Sequence, residues 1–264
     1  MPTDTNSKFT VLNVRAFKEQ GRKVVALTAY DWACAKIVDT AGVDIVLVGD
    51  SLGNVVQGKG TTLPVTLDEM IYHTEMVVRA VERALVVADL PFPYAQSGAK
   101  TAVKAAAKIL KQTGAGAVKI EGGTKRADVI RAVVDAGIPV IGHCGLLPQN
   151  INCYGKFTVQ RDREALLADA EAIENAGAFA VVIEYVPAEL AAEVSKRLKI
   201  STIGIGSGNG CDGQVLVLHD ILGFGKPTRH SKVYAPVAQT IHTAVSSYAD
   251  EVRNGVFPSE KESF

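Results

Sequence analysis

Val43-Asp44-Ile45-Val46-Leu47-Val48-Gly49-Asp50-Ser51-Leu52-Gly53 is the stretch on which the reading of this chain turns. Its apolar part is too short to cross a bilayer, and its β-branched content suits a strand buried on both faces. Gly49 and Gly53 allow tight turns, so Asp50 and Ser51 are expected at the strand's carboxyl end rather than on a mobile tail. A carboxylate there either caps the next segment or belongs to a site, and this stretch alone leaves both open. The pattern recurs at 84–91, 117–123, 140–145 and 181–187, where Asp, Glu, Lys or His again stands at the end of an apolar run. Repetition of that kind favours a site.

The chain has 264 residues, enough for one α/β barrel or two smaller domains. Hydrophobic residues make up 47% of it, and 28 basic residues balance 28 acidic ones. That composition excludes a disordered or strongly cationic chain. With no basic tract interleaved with aromatic residues, no nucleic-acid partner is expected. Cys34, Cys144, Cys153 and Cys211 form no Cys-x-x-Cys pair and no zinc spacing, and read as free thiols in a reducing compartment. The N-terminus is polar through Lys8, and no run is long enough for a membrane span. The expectation is a soluble cytoplasmic protein without a membrane partner.

Residues 1–8 read as a loose tail and 10–19 as a short helix or cover. Strands are predicted at 23–28, 43–48, 84–88, 117–120, 139–143, 179–183, 201–205 and 214–218. Helical patterns run between them, and a long terminal helix is predicted over 232–252. Thr66 with Glu69 has the capping-box spacing for a helix beginning at Leu67, and Ser97 or Thr101 is expected to open the alanine-rich helix that reaches about Gln112. The glycine- and threonine-rich loop 51–64 and the insertion 144–159 have the length of lids or binding elements. Eight strand–helix alternations without a linker predict one (β/α)8 TIM barrel domain over 1–264, with its site at the strands' carboxyl ends. A doubly wound sheet is the alternative built from the same units.

In this order, several segments together resemble the ketopantoate hydroxymethyltransferase family. They are Gly49-Asp50-Ser51-Leu52-Gly53, Thr62-Leu63-Pro64-Val65-Thr66, Tyr72-His73-Thr74, Ala88-Asp89-Leu90-Pro91-Phe92 and Val118-Lys119-Ile120-Glu121-Gly122-Gly123. Gly142-His143-Cys144-Gly145-Leu146, Pro148-Gln149, Ile183-Glu184, Val186-Pro187, Ile203-Gly204-Ile205-Gly206 and Cys211-Asp212-Gly213-Gln214 continue the resemblance, which runs from about Thr10 to Pro258. Against the family's pattern, Asn54, Pro93-Tyr94, Arg161-Asp162 and Ser207 are departures that touch loop shape and folate contacts.

The resemblance implies a (β/α)8 barrel that transfers a hydroxymethyl group from 5,10-methylenetetrahydrofolate to 3-methyl-2-oxobutanoate. The product is 2-dehydropantoate, on the way to pantothenate. It also implies a divalent metal such as Mg2+, one per subunit, and a homo-oligomer, commonly a decamer. A 2-oxo acid offers a cation two oxygens, and Mg2+ keeps waters, so two protein carboxylates suffice. Asp50 and Asp89 are the expected direct ligands, with Glu121 holding a metal-bound water. Polarising the 2-oxo group eases removal of the C3 proton and stabilises an enolate. Glu184, among Val182, Ile183 and Val186, is the expected general base, its basicity raised by partial burial. Lys119 is expected to neutralise the substrate carboxylate or the enolate, and Ser51 to donate to that carboxylate. His143 is expected to contact the substrate or to support Glu121. A carbon–carbon lyase or mutase of the same metal-enolate type is the nearest rival. A metabolite-binding barrel without catalysis is the other.

Overall fold

The computed structural model describes residues 8–225 and 228–264, so the expected loose tail over 1–8 lies, apart from Lys8, outside the described residues. The chain forms two compact units, one reaching Val217 and one from Leu218 to Phe264.

All eight strands belong to the first unit. Helix α1 (Val11–Glu19) precedes β1 (Val24–Thr28), and α2 (Trp32–Thr40) leads to β2 (Ile45–Val48). A single helical turn, α3 (Leu52–Val55), stands inside the stretch expected to be a loop, followed by α4 (Leu67–Ala80) and β3 (Leu85–Asp89). Next come α5 (Ala99–Thr113), β4 (Ala117–Glu121), α6 (Ala127–Asp135) and β5 (Val140–Gly145). The chain continues through α7 (Ile151–Tyr154), α8 (Arg163–Asn175), β6 (Ala180–Glu184), α9 (Ala188–Arg197), β7 (Ser201–Ile205) and β8 (Gly213–Leu216). Every neighbouring pair is parallel, and β1 pairs with β8, so the sheet closes on itself. Closure decides for the barrel over the doubly wound sheet.

Local chemistry explains the element ends. Thr66 Oγ1 accepts from the Glu69 amide at 3.2 Å while Glu69 Oε2 accepts from the Thr66 amide at 2.7 Å, which is the predicted capping box at the start of α4. Helix α5 departs from expectation: Gly98, at φ 94°, is its N-cap, rather than Ser97 or Thr101. That backbone conformation suits glycine alone among the candidates. Between β4 and α6, Thr124–Arg126 forms a 3-10 turn, and the helix begins at Ala127. Buried Asp39, in α2, accepts from the amides of Glu82 and Ala84, both at 2.8 Å, and fixes the lead into β3.

The barrel interior is built by alternation. Leu85 and Val87, Ala117, Ile141, and Ala180 and Val182 share one apolar core with Ala26, Ile45, Leu47, Ile203 and Val215. Phe9, Val14 and Phe17 join the same core, so α1 covers one end of the barrel. Successive side chains on a strand point to opposite faces. Two steps along each strand from these core residues stand Asp89, Lys119 and then Glu121, His143 and Glu184. The barrel mouth is therefore polar for the same geometric reason that its middle is apolar.

The second unit holds α10 (Leu218–Ile221) and α11 (Val237–Arg253), the latter starting five residues later than expected. Helix α11 buries none of its residues. Among the described residues no helix is long and apolar enough to cross a membrane, and the four cysteines are free thiols.

Candidate active site

The strand ends bring the predicted residues into one buried cluster. Asp50 follows β2, and its backbone amide donates to Asp89 Oδ2 at 2.9 Å. Lys119 Nζ lies 2.8 Å from Asp89 Oδ1 as an ion pair and 3.4 Å from His143 Nδ1. His143 Nδ1 in turn stands 3.6 Å from Glu121 Oε1, and its Nε2 stands 3.2 Å from Glu184 Oε2. That last contact is a close approach without the alignment of a hydrogen bond at Nε2. Asp50, Asp89, Lys119, Glu121 and His143 are all buried, and the Glu184 side chain keeps 16% of its surface exposed. Register makes this possible, because Asp89 lies beside Lys119 and Glu121 beside His143 in paired strands.

Ser51 is held by a neighbour on the preceding strand–helix turn. Its Oγ lies 2.8 Å from the Tyr30 hydroxyl, so one of the two donates to the other. His73 Nδ1 lies 2.6 Å from the Tyr30 carbonyl, which can only accept, so the ring nitrogen donates. His73 thus belongs to the support of Tyr30.

Sequence reasoning missed Gln149. This buried side chain donates from Nε2 to Asp50 Oδ2 at 2.9 Å and to the Leu90 carbonyl at 3.1 Å, and its backbone amide donates to Glu121 Oε2 at 3.0 Å. Gln96 Nε2 completes it by donating to Gln149 Oε1 at 3.0 Å. The only signal was the Pro148-Gln149 pair inside the resemblance, since a polar residue on a loop carries no periodicity.

Electrostatics follows from burial. Loss of water, and then the Asp89 charge, push the Asp50 carboxyl up to about 7. Burial followed by the Asp50 charge likewise holds Glu121 well above the usual carboxyl range. Burial pulls the Lys119 ammonium down, but Asp89, Glu121 and Asp50 outweigh it and raise the group above its usual value. Burial and then Lys119 keep His143 well below the usual imidazole range, so it is neutral. Three acids, Asp89, Glu121 and Asp50, thus face one ammonium.

That excess of negative charge is what a divalent cation neutralises. Glu121 Oε1 is buried and accepts no hydrogen bond. Among the described residues no three His, Cys, Asp or Glu side chains stand ready around one point to hold an ion. Buried carboxylate oxygens such as Glu121 Oε1 are the donor type that a hard divalent cation takes.

Against known proteins, residues 8–260 match the family described as ketopantoate hydroxymethyltransferase. The chain belongs to the ketopantoate hydroxymethyltransferase family. Among relatives of this family, the chain is 52% identical over 260 residues to a 3-methyl-2-oxobutanoate hydroxymethyltransferase of Rhodopirellula baltica, covering 98% of this chain and 97% of that one. It is 51% identical to the Acetivibrio thermocellus protein of the same name, covering 98% and 94%. Solved structures share the family's fold at much lower identity. A Streptomyces platensis phosphoenolpyruvate phosphomutase has a TM-score of 0.66 at 16% identity, covering 93% of this chain and 88% of that one. A 2,3-dimethylmalate lyase has a TM-score of 0.61 at 17% identity, covering 96% and 91%. These likenesses speak for the barrel alone.

Proposed function

We propose that this chain transfers a hydroxymethyl group from 5,10-methylenetetrahydrofolate to 3-methyl-2-oxobutanoate, giving 2-dehydropantoate in pantothenate biosynthesis. The observation that carries the reading is the cluster of Asp50, Asp89, Lys119, Glu121, His143 and Glu184 at the barrel mouth, in a chain that matches the family over residues 8–260.

Asp50 and Asp89 would hold a divalent cation, Mg2+, one per subunit, and Glu121 would hold a water in its outer shell. Such a cation, when bound, draws electron density from the 2-oxo group. The ammonium of Lys119 neutralises the substrate carboxylate, and Ser51 donates to it from its hydroxyl or amide. Glu184 then removes the C3 proton. The C–H electron pair forms the enolate, and C3 of the enolate makes the new bond to the one-carbon unit of the folate. Both carbon–nitrogen bonds to the folate break, its two nitrogens take up the proton removed from C3 and one proton of a water, and the rest of that water becomes the new hydroxyl. Neutral His143 stands 3.2 Å from Glu184 Oε2 and adds no charge beside the base. The family resemblance supports in addition a cytoplasmic homo-oligomer, a decamer.

Proton exchange at C3 of 3-methyl-2-oxobutanoate in D2O, followed by NMR with and without tetrahydrofolate, tests the base. Exchange should require Mg2+ and fall roughly 100-fold or more in Glu184→Gln. Absence of exchange in the folded, metal-loaded protein under both conditions overturns the reading.

A further inference from the structure

We propose that Tyr185 and Ser207 are positioning residues for Glu184: a left-handed backbone at Tyr185, held on both sides by the Ser207 hydroxyl, fixes where the carboxylate stands at the barrel mouth. This inference rests on the function proposed above, because it takes Glu184 as the base of that reaction.

Tyr185 has φ 50°, and among the described residues it is the one non-glycine residue with a positive φ. A side chain makes that conformation costly, and it persists only where the surroundings impose it. It also ends a strand, since a left-handed residue cannot continue the extended backbone. β6 therefore stops at Glu184, the last inward-facing position of the strand, two steps beyond the core residue Val182. Glu184 Oε2 comes to stand 3.2 Å from His143 Nε2, with 16% of the side chain left exposed.

Hydrogen bonds impose the turn from both sides. The Glu184 carbonyl accepts from the Leu146 amide at 2.9 Å, the Tyr185 amide donates to the Ile205 carbonyl at 2.9 Å, and the Tyr185 carbonyl accepts from the Gln160 amide at 2.8 Å. Ser207 closes the remaining gap. Its buried Oγ accepts from the Val186 amide at 3.2 Å and donates to the Ile183 carbonyl at 2.9 Å, with the Ile205 carbonyl as a second acceptor at 3.1 Å. One hydroxyl thus joins the residues immediately before and after the Glu184–Tyr185 pair. Removing it would take from the buried Val186 amide its acceptor, and the backbone would shift to satisfy that donor elsewhere. On the other flank Gly145 makes room. It pairs in register with Glu184, and a Cβ there would collide with the Glu184 carbonyl oxygen and come within 2.9 Å of Val186 Cγ2. A turn enclosed in this way between β5 and β7 holds the base in one place, and place is what a general base needs, because a displacement of about 1 Å can cost roughly 100-fold in rate.

C3 proton exchange of 3-methyl-2-oxobutanoate in D2O by the full-length, Mg2+-loaded protein tests the assignment, with kcat and KM measured separately and folding checked by circular dichroism. Ser207→Ala should lower kcat by about tenfold while KM and the Mg2+ dissociation constant stay within about twofold, because only the base is moved. Tyr185→Val and Tyr185→Asn form a second, independent pair, which decides should Ser207→Ala not fold. Both remove the ring, but valine opposes a positive φ and asparagine accepts it. The valine variant should therefore be slower in kcat than the asparagine variant by about tenfold or more, whereas a role of the ring alone makes the two equal. Equal kcat in the two Tyr185 variants overturns the assignment, as does a folded Ser207→Ala that keeps the kcat of the unmodified protein or that changes KM in its place. Exchange by the unmodified protein that Glu184→Gln abolishes then leaves the base standing and removes only its positioning. No exchange by the unmodified protein removes the reaction itself, and the positioning with it.

Discussion

The side chain of Gln149 donates to Asp50 Oδ2 at 2.9 Å, tying the turn after β5 to the end of β2 across 99 positions of the chain. Through its backbone amide the same residue holds Glu121 Oε2, so one position orients two of the carboxylates proposed to serve the cation. Groups that orient ligands in this way typically change metal affinity 10- to 100-fold when removed. Gln149→Leu keeps the bulk and the backbone donor but deletes the bond to Asp50. Titration with Mg2+ or Mn2+ should show an affinity lower by about tenfold or more. An unchanged affinity would show that Asp50 needs no such support.

The raised Asp50 carboxyl links pH to metal binding. Its folded value of about 7 lies above the ordinary value of 3.8, so the folded, metal-free protein holds this proton more tightly than the unfolded chain does. Its contribution to stability is full below the ordinary value and is lost as pH rises through about 7. A cation needs the carboxylate, and it therefore competes with the proton. The rise in Tm on adding Mg2+ should be larger at pH 8 than at pH 6, read by thermal denaturation with and without metal. Equal shifts at the two pH values would count against Asp50 as a ligand.

The capping box of α4 offers a test away from the site. Thr66→Ala removes the side-chain acceptor for the Glu69 amide and should cost about 1 kcal/mol in chemical denaturation at pH 7. The Thr66 amide, with help from its hydroxyl and from Lys59, holds the Glu69 carboxyl below its usual range. A depressed carboxyl stabilises the fold above its unfolded value, and that contribution is lost as pH falls through the folded one. The difference between Thr66→Ala and the unmodified protein should shrink in acid, and a constant difference would detach the cap from Glu69.

Much of the cluster was legible because each member stands where an apolar run stops. Asp89, Lys119 with Glu121, His143 and Glu184 are the polar residues that the alternation of β3 to β6 carries to the inner face. The Gly98 cap of α5 was not legible in the same way. Ser97 and Thr101 are the better capping types by side chain, but the chain enters this helix through a positive φ that only glycine meets without strain. Gln149 was hidden for a different reason. A glutamine on a loop reads as solvated, and nothing local says that Asp50 and Glu121 will close around it.

By itself, then, the sequence determined the repeated strand–helix units, the carboxyl-end positions of the acids and the family, because these depend on near neighbours and on motifs in order. Only the tertiary structure decided that β1 pairs with β8, that Lys119 answers Asp89, and that Gln149 bridges two acids. It also decided the acid–base character of the mouth. The shifts of Asp50, Glu121, Lys119 and His143 come from water excluded by closure and from charges brought close by parallel register. Neither exclusion nor proximity exists along an extended chain.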